Sequence, residues 1–347
     1  METDLKDIAR KKAMLLASGP VMVREELRLP VLPSRSTAGP GAGSVGIVIE
    51  FEGHRVKKAI TSNEGSDLEL VKEGERYHLL LRGKVFLEDV KIRPTIFHSP
   101  EQAFFNLETE CIFDCKFCTS RRLEKGITKN LTPEKVVRMI LEVSKRPDFK
   151  AVALTSAVAK NPRATVNKMI YVVSEVRQAL GPGVPIGVEP YIDDLKELDE
   201  LRQAGATEFK LNIESYDPVV FQKVCGELDL EWIMHVLEQA VKVFGRGKVC
   251  SNIIVGMGET DENVLQGAKA LADIGVVATL RPLRINDLNR QELEKALGRL
   301  EPVSPERMVS LAEREKVILE EHGLTTLTFE TMCNLCTCCD IVPFRDI

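Results

Sequence analysis

The sequence predicts an α/β protein: a parallel barrel of six strand-and-helix units, with a small N-terminal β-rich module before it and a cysteine-bearing extension after it. Three observations lead there. From Pro100 onward, strand-like runs alternate with helical ones, the order that builds a parallel sheet covered by helices. Between Val45 and Ile92 the pattern is short alternating apolar runs (46–51 and 78–81) broken by Gly53, Gly65, Gly74 and Gly83, which are strand and turn signals. Four of the nine cysteines, Cys333, Cys336, Cys338 and Cys339, crowd into the last stretch of the chain. The division expected is 1–99, 100–300 and 301–347.

The elements follow in order. Residues 5–18 carry apolar residues at helical spacing and predict a short amphipathic helix. The glycine-rich stretch 33–43 lacks the Gly-Lys-Ser/Thr ending of a phosphate loop. It is either a flexible linker or a route by which Ser34, Arg35 or Ser36 reaches the active site from outside the barrel. The β-rich module serves as a packing layer or, through charged edges, as a docking site. Barrel strands are expected at 103–107, 151–155, 185–189, 208–213, 248–255 and 276–283. Thr132-Pro133-Glu134 starts a helix with a cap and a first-turn proline, and Val136, Val137, Ile140 and Leu141 form its buried face. A long helix at 305–322 and a strand at 324–329 precede the last cysteines.

Composition narrows the classes. A chain of 347 residues, 44% hydrophobic, can bury one barrel-sized core plus an appendage. A net charge of -5 gives no reason to expect nucleic-acid binding. No apolar run approaches membrane-spanning length and the first residues are charged, so a cytoplasmic protein away from membranes is expected. Nine cysteines grouped as 111/115/118 and 333/336/338/339, with Cys225 and Cys250 isolated, suit metal chemistry in a reducing compartment better than disulfides. Cys225, in a helical region, reads as an ordinary buried thiol.

The chemistry centres on Cys111, Cys115 and Cys118. Three thiolates are the usual way to hold a cubane iron-sulfur cluster while one iron stays open to another ligand. Two alternatives stand beside this. A structural zinc ion would take a fourth ligand from His98 or from far along the chain. A helix would put all three thiols on one face, as inert core. Asp114 and Lys116 favour a loop after a strand.

Cys-x3-Cys-x2-Cys with Phe117 before the last cysteine resembles the signature of the radical S-adenosylmethionine (SAM) enzymes. The resemblance implies a partial, TIM-type (β/α)6 barrel and a [4Fe-4S] cluster on Cys111, Cys115 and Cys118. The open iron of that cluster chelates SAM. It also implies a low-potential electron donor such as ferredoxin and reductive cleavage of SAM to a 5'-deoxyadenosyl radical. Catalytic residues in such barrels sit at the C-terminal ends of strands. At the fourth, Asn212 and Glu214 lie two apart and so share a face of a strand. Asn212-Ile213-Glu214-Ser215 resembles Asn-Ile-Glu-Thr of lipoyl synthases and Asn-Leu-Asp-Thr of biotin synthases, which implies contacts to SAM; a buried hydrogen-bonded pair is the alternative. After the fifth, Val255-Gly256-Met257-Gly258-Glu259-Thr260 resembles their Gly-rich turn and puts Ile254 by the adenine. At the second, Thr155 and Ser156 stand where many members have Gly-Gly-Glu, and they take the SAM amino group in its place. At the sixth, Arg281 or Arg284 could grip a carboxylate in bidentate fashion, or cap the core.

The second cluster of thiols reads as either a zinc knob or an auxiliary [4Fe-4S] cluster held by three of Cys333, Cys336, Cys338 and Cys339. In the latter case the cluster offers a sulfide to a carbon radical. Biotin and lipoyl synthases both work by such sulfur transfer. Biotin synthase keeps its donor cysteines inside the barrel, where only Cys250 matches. Common lipoyl synthases put theirs at the N-terminus, where this chain has none before Cys111. The inverted layout resembles the archaeal two-protein lipoyl synthases. What that resemblance implies is sulfur insertion at C6 or C8 of an octanoyl chain on a lipoyl-carrier protein, with a second radical SAM protein as partner. The alternatives are a biotin synthase-like enzyme on a small molecule, a radical SAM enzyme whose second cluster only relays electrons, and a non-catalytic metal-binding protein.

Overall fold

The structure, a computed structural model, describes residues 2–36, 43–124 and 131–347. Thr37–Ala42 of the glycine-rich stretch lie outside the described residues.

The β-rich module closes on itself. Its strands run Val45–Phe51, His54–Thr61, Val21–Met22, Leu68–Glu73, Arg76–Leu81 and Lys84–Arg93 around the ring, and the last pairs back onto the first at Ile49 and Ile92. Closure pairs the outer strands with each other, which removes the unpaired backbone that an edge offers. Ile47, Ile49, Val56, Leu68, Leu70 and Leu79 fill its centre, all buried. Ser34–Arg35 adds a short strand beside Val45 and Gly46.

The second sheet is the expected barrel. Six strands, Gln102–Asn106, Ala151–Thr155, Ile186–Glu189, Glu208–Lys210, Val249–Val255 and Val277–Pro282, pair in parallel in chain order, with no return pairing from sixth to first among the described residues. The helices between them start on side-chain caps: Thr132 accepts from Lys135 N–H, Asn161 from Ala164 N–H and Thr260 from Asn263 N–H. Val136, Val137 and Ile140 are buried as expected, whereas Leu141 is half-buried.

Two local expectations are corrected. The fourth strand ends at Lys210 rather than at Ile213, and Glu214 returns to the ladder only as a single bridge to Ile253, with φ +57°. Asn212 and Glu214 therefore owe their direction to an irregular segment rather than to strand alternation. Residues 324–329 form a 3-10 turn over Thr326–Thr328, because the Thr325 hydroxyl accepts from Leu327 N–H and competes with an extended backbone. The stretch 111–118 is the loop expected after the first barrel strand.

The C-terminal segment decides the shape of the interior. Glu208, at the start of the fourth strand, accepts from Glu330 N–H (2.8 Å), Thr331 N–H (3.0 Å) and the Thr331 hydroxyl (2.6 Å). Gln102, at the start of the first, exchanges two 2.9 Å bonds with the Met332 peptide. A Cβ on Gly187, in the third strand, would fall on the Thr331 side chain and Met332. The chain thus enters at the N-terminal end of the barrel and carries its cysteines inward. Lys12, fully buried, bonds Thr337 O and the Asp346 carboxylate at 2.6 Å each, and His54 bonds the other Asp346 oxygen at 2.7 Å. One buried network ties helix Glu2–Ala17, the β module and the tail together.

Candidate active site

One cavity of about 760 Å³ occupies the barrel interior, and both cysteine groups line it. All nine cysteines are free. The loop of Cys111, Cys115 and Cys118 is held from several sides. The Arg122 guanidinium donates to Cys115 O and Cys118 O and pairs with Asp114. Asn289 donates to Phe117 O at 2.9 Å. Backbone N–H groups of Phe113 and Val158 approach the Cys111 sulfur, and those of Ser120 and Arg121 approach Cys118. Half-buried thiols with N–H donors aimed at sulfur are the donor set of an iron-sulfur site, so the loop fits the cluster expected of it. Among the described residues no three His, Cys, Asp or Glu side chains gather around a point that a single ion could take. Cys225 is buried, as expected, and the Cys115 thiol beside it, with burial, pushes the Cys225 thiol up.

Every residue expected to bind SAM lines the cavity: Phe117, Thr155, Ser156, Asn212, Glu214, Ile254 and Arg281. Asn212 donates to Glu189 at 2.9 Å and accepts from Asn252 N–H at 3.1 Å. Glu259 of the Gly-rich turn folds back to accept from Gly256 and Met257 N–H at 2.7 Å each, so it shapes the turn; Gly256 and Gly258, both at φ +105°, make that possible. Of the N-terminal candidates, Ser36 alone reaches the cavity wall, while Ser34 and Arg35 sit in their strand.

Burial pushes the Glu214 carboxyl up to about 7 from its ordinary 4.5, with Glu189 adding and Lys210 opposing. A raised carboxyl favours the fold while protonated, so this contribution is complete below the unfolded value of 4.5 and is lost as pH rises through about 7. Glu214→Gln is therefore expected to gain stability over the parent by on the order of 1–3 kcal/mol between pH 5 and 8. Melting curves of the cluster-free proteins across that range measure it, and a difference that does not change with pH counts against it.

The sixth-strand arginines divide. Arg281 makes its bidentate contact at 2.9 Å with Asp340 of this same chain, both buried. It anchors the tail, which corrects its expected use for an outside carboxylate. Arg284 lines the cavity without a salt bridge among the described residues.

Several residues here were not singled out from the sequence. Lys210, buried at the end of the fourth strand, bonds Glu189 at 3.1 Å and the Cys333 sulfur at 3.4 Å. Burial works against its ammonium, but Cys333 and Glu189 hold its pKa above the ordinary value. Lys57 reaches from the β module toward Cys339, Cys336 and Cys338, and Arg281 and Arg284 face Cys339. Cations thus ring the tail thiols. The Cys338 thiol against Cys336 holds the latter down at about 6, helped by Ser99 and Lys57, and the same pairing pushes Cys338 up. Cys250 lies near Lys210 and Cys333 but is buried among Val277 and Phe329, outside the cavity lining. Lys210 keeps the two-residue phase of Asn212 and Glu214, a signal present in the sequence; Lys57 and Asp340 have none.

Fold and cavity define the class first: a partial α/β-barrel enzyme with its reactive groups at the C-terminal ends of the strands. The sequence profile of the radical SAM superfamily matches residues 106–297, more than half of the chain. The protein belongs to that superfamily, whose members use SAM and a [4Fe-4S] cluster. It is similar to a biotin synthase of Hydrogenobaculum sp. (25% identical, covering 62% of this chain and 67% of that protein). It is also similar to a lipoyl synthase of Glaesserella parasuis (26%, 52% and 56%). The chain thus spans little more than half of the lipoyl synthase and two thirds of the biotin synthase. The solved structure of methylornithine synthase (PylB) matches 62% of each chain at 18% identity, TM-score 0.49. Among the described residues no helix is long and apolar enough to cross a membrane.

Proposed function

We propose that this radical SAM enzyme is a sulfurtransferase that inserts sulfur at unactivated C–H bonds of a protein-bound octanoyl chain. It acts together with a second radical SAM protein and a low-potential electron donor such as ferredoxin. The observation that carries the reading is the tail: Cys333, Cys336, Cys338 and Cys339 share one cavity with Cys111, Cys115 and Cys118 and sit within a ring of cations. An auxiliary [4Fe-4S] cluster fits this donor set, since thiolates and a cluster bearing negative charge are stabilised by surrounding Lys and Arg. When bound, the two clusters supply an electron for SAM cleavage and a sulfide for transfer.

The rest falls to the protein's own side chains. Phe117 and Ile254 offer apolar contact, Asn212 and Glu214 polar contact, and Thr155 and Ser156 hydroxyls, together enough to orient SAM. Lys57, Lys210, Arg281 and Arg284 balance charge at the tail. The enclosing barrel and tail exclude water, which a reactive carbon radical requires. The expected outcome of Cys333→Ser with Cys336→Ser is retained 5'-deoxyadenosine formation and loss of sulfur from the octanoyl-protein product, read by mass spectrometry of the carrier protein. Undiminished sulfur transfer would remove the donor role.

A biotin synthase-like reaction on a free acid is the second reading. It is favoured by Lys57 and Arg284, which face the cavity without a carboxylate partner among the described residues. Turnover of a small carboxylic acid without any acyl-protein would support it.

A further inference from the structure

His98, weighed from the sequence only as a possible zinc ligand for the first cysteine group, lines the cavity that the tail thiols also line. Lys57 fixes its position: the Lys57 backbone N–H bonds Cys338 O at 3.1 Å while its ammonium bonds His98 O at 2.7 Å. The next residue, Ser99, lies beside Cys336 and helps hold its thiol down. The imidazole is also set in orientation, tilted 44° against Phe104 with ring centroids 4.8 Å apart. Its Nδ1 is buried and has no hydrogen-bond partner. A buried ring nitrogen without a partner is costly and needs an explanation. The charged side chains facing it are Lys57, Lys210, Arg281 and Arg284, none of which is an acceptor for it.

The four thiols are not equivalent either. Cys338 turns toward the β module, facing Arg55 and Lys12, and donates its S–H to Cys336 O at 3.2 Å. Cys333 and Cys339 both face Arg281, and Cys336 is a neighbour of Cys339. Cys333, Cys336 and Cys339 line the same cavity as the His98 residue, and three thiols with one imidazole is the count that a cubane with one ligand per iron takes.

Building on the auxiliary-cluster reading above, we propose that the ligands of that cluster are Cys333, Cys336, Cys339 and the His98 imidazole, with Cys338 as a structural thiol. The imidazole takes the place that a fourth cysteine holds in an electron-carrying cluster. It is a weaker, neutral ligand, suited to an iron that must be released.

The test uses the full chain, intact and as the Cys111→Ala/Cys115→Ala/Cys118→Ala variant, each reconstituted anaerobically with iron and sulfide and then reduced. Pulsed electron paramagnetic resonance reads nitrogen bound to the cluster. The expected result is a strongly coupled nitrogen that switches isotope pattern when histidine is ¹⁵N-labelled, persists in the triple variant and disappears in His98→Ala. His98 is one of five histidines and, among the described residues, the one that lines the cavity. Labelling the unsubstituted chain reads the ligand even if His98→Ala fails to fold. A reduced tail cluster without histidine nitrogen overturns the proposal alone. A triple variant that folds and holds no cluster overturns the auxiliary-site reading and this proposal together. Cys338→Ser is expected to keep the iron that Cys339→Ser loses; the reverse order overturns the ligand assignment.

Discussion

Replacing Cys111, Cys115 and Cys118 together by alanine is expected to abolish 5'-deoxyadenosine formation while leaving iron and sulfide bound at the tail. The loop thiols come from one irregular segment held by Arg122, Asn289 and Val224, where Lys116 N–H donates to Val224 O at 2.9 Å. None of these anchors uses a cysteine sulfur, so the fold should survive the substitution. The tail is anchored through Glu208, Gln102 and Arg281, on different strands. Iron and sulfide analysis with Mössbauer spectra on the parent and the variant measures the outcome. Loss of all bound iron from a folded variant would make this a single-cluster enzyme and deprive sulfur insertion of its donor. Retention of SAM cleavage would contradict the site itself.

The second large effect is expected at Asp340→Asn. Arg281 and Asp340 are paired in bidentate geometry and largely buried. Removing one partner of a buried ion pair leaves the other charge uncompensated, at about 3–5 kcal/mol. In a chain of 347 residues that lowers the melting temperature by roughly 4–7 °C. The loss should be larger than the pair itself contributes, so the double change Arg281→Leu with Asp340→Leu is expected to recover much of it. Asp340 follows Cys339 directly, and the single variant should therefore also free the tail, seen as faster reaction of its thiols with a disulfide reagent. A single variant as stable as the parent would show that the pair does not hold the tail.

Much of the barrel was legible because its signals are local. Parallel strands covered by helices need an alternating pattern, and helix starts need caps and prolines, as at Thr132-Pro133; both are written within a few residues. Cys111, Cys115 and Cys118 were legible for the same reason, since one loop must bring three ligands to one group. Asn212, Glu214 and Ile254 were singled out by short motifs, each contiguous in the chain, that resemble those of lipoyl and biotin synthases. The fourth strand was read too long because Leu211 and Ile213 are apolar and alternate properly, while the positive φ at Glu214 that ends the alternation carries no such pattern. The strand expected at 324–329 failed because threonine favours strands and equally favours the local hydroxyl bonds that make turns.

The sequence by itself determined the superfamily, the six-unit barrel and two groups of thiols. Only the tertiary structure decided that the two groups face one cavity. That outcome depends on contacts between residues far apart in the chain, Gln102 with Met332, Glu208 with Thr331 and Lys12 with Asp346, none of which leaves a periodic trace. It likewise turned Arg281 from a free ligand into the anchor of Asp340, brought Lys57 and Lys210 to the tail thiols, and left the His98 nitrogen buried beside them. Local spacing specifies which groups a loop or strand end can present. Burial and charge pairing across the barrel specify what those groups meet.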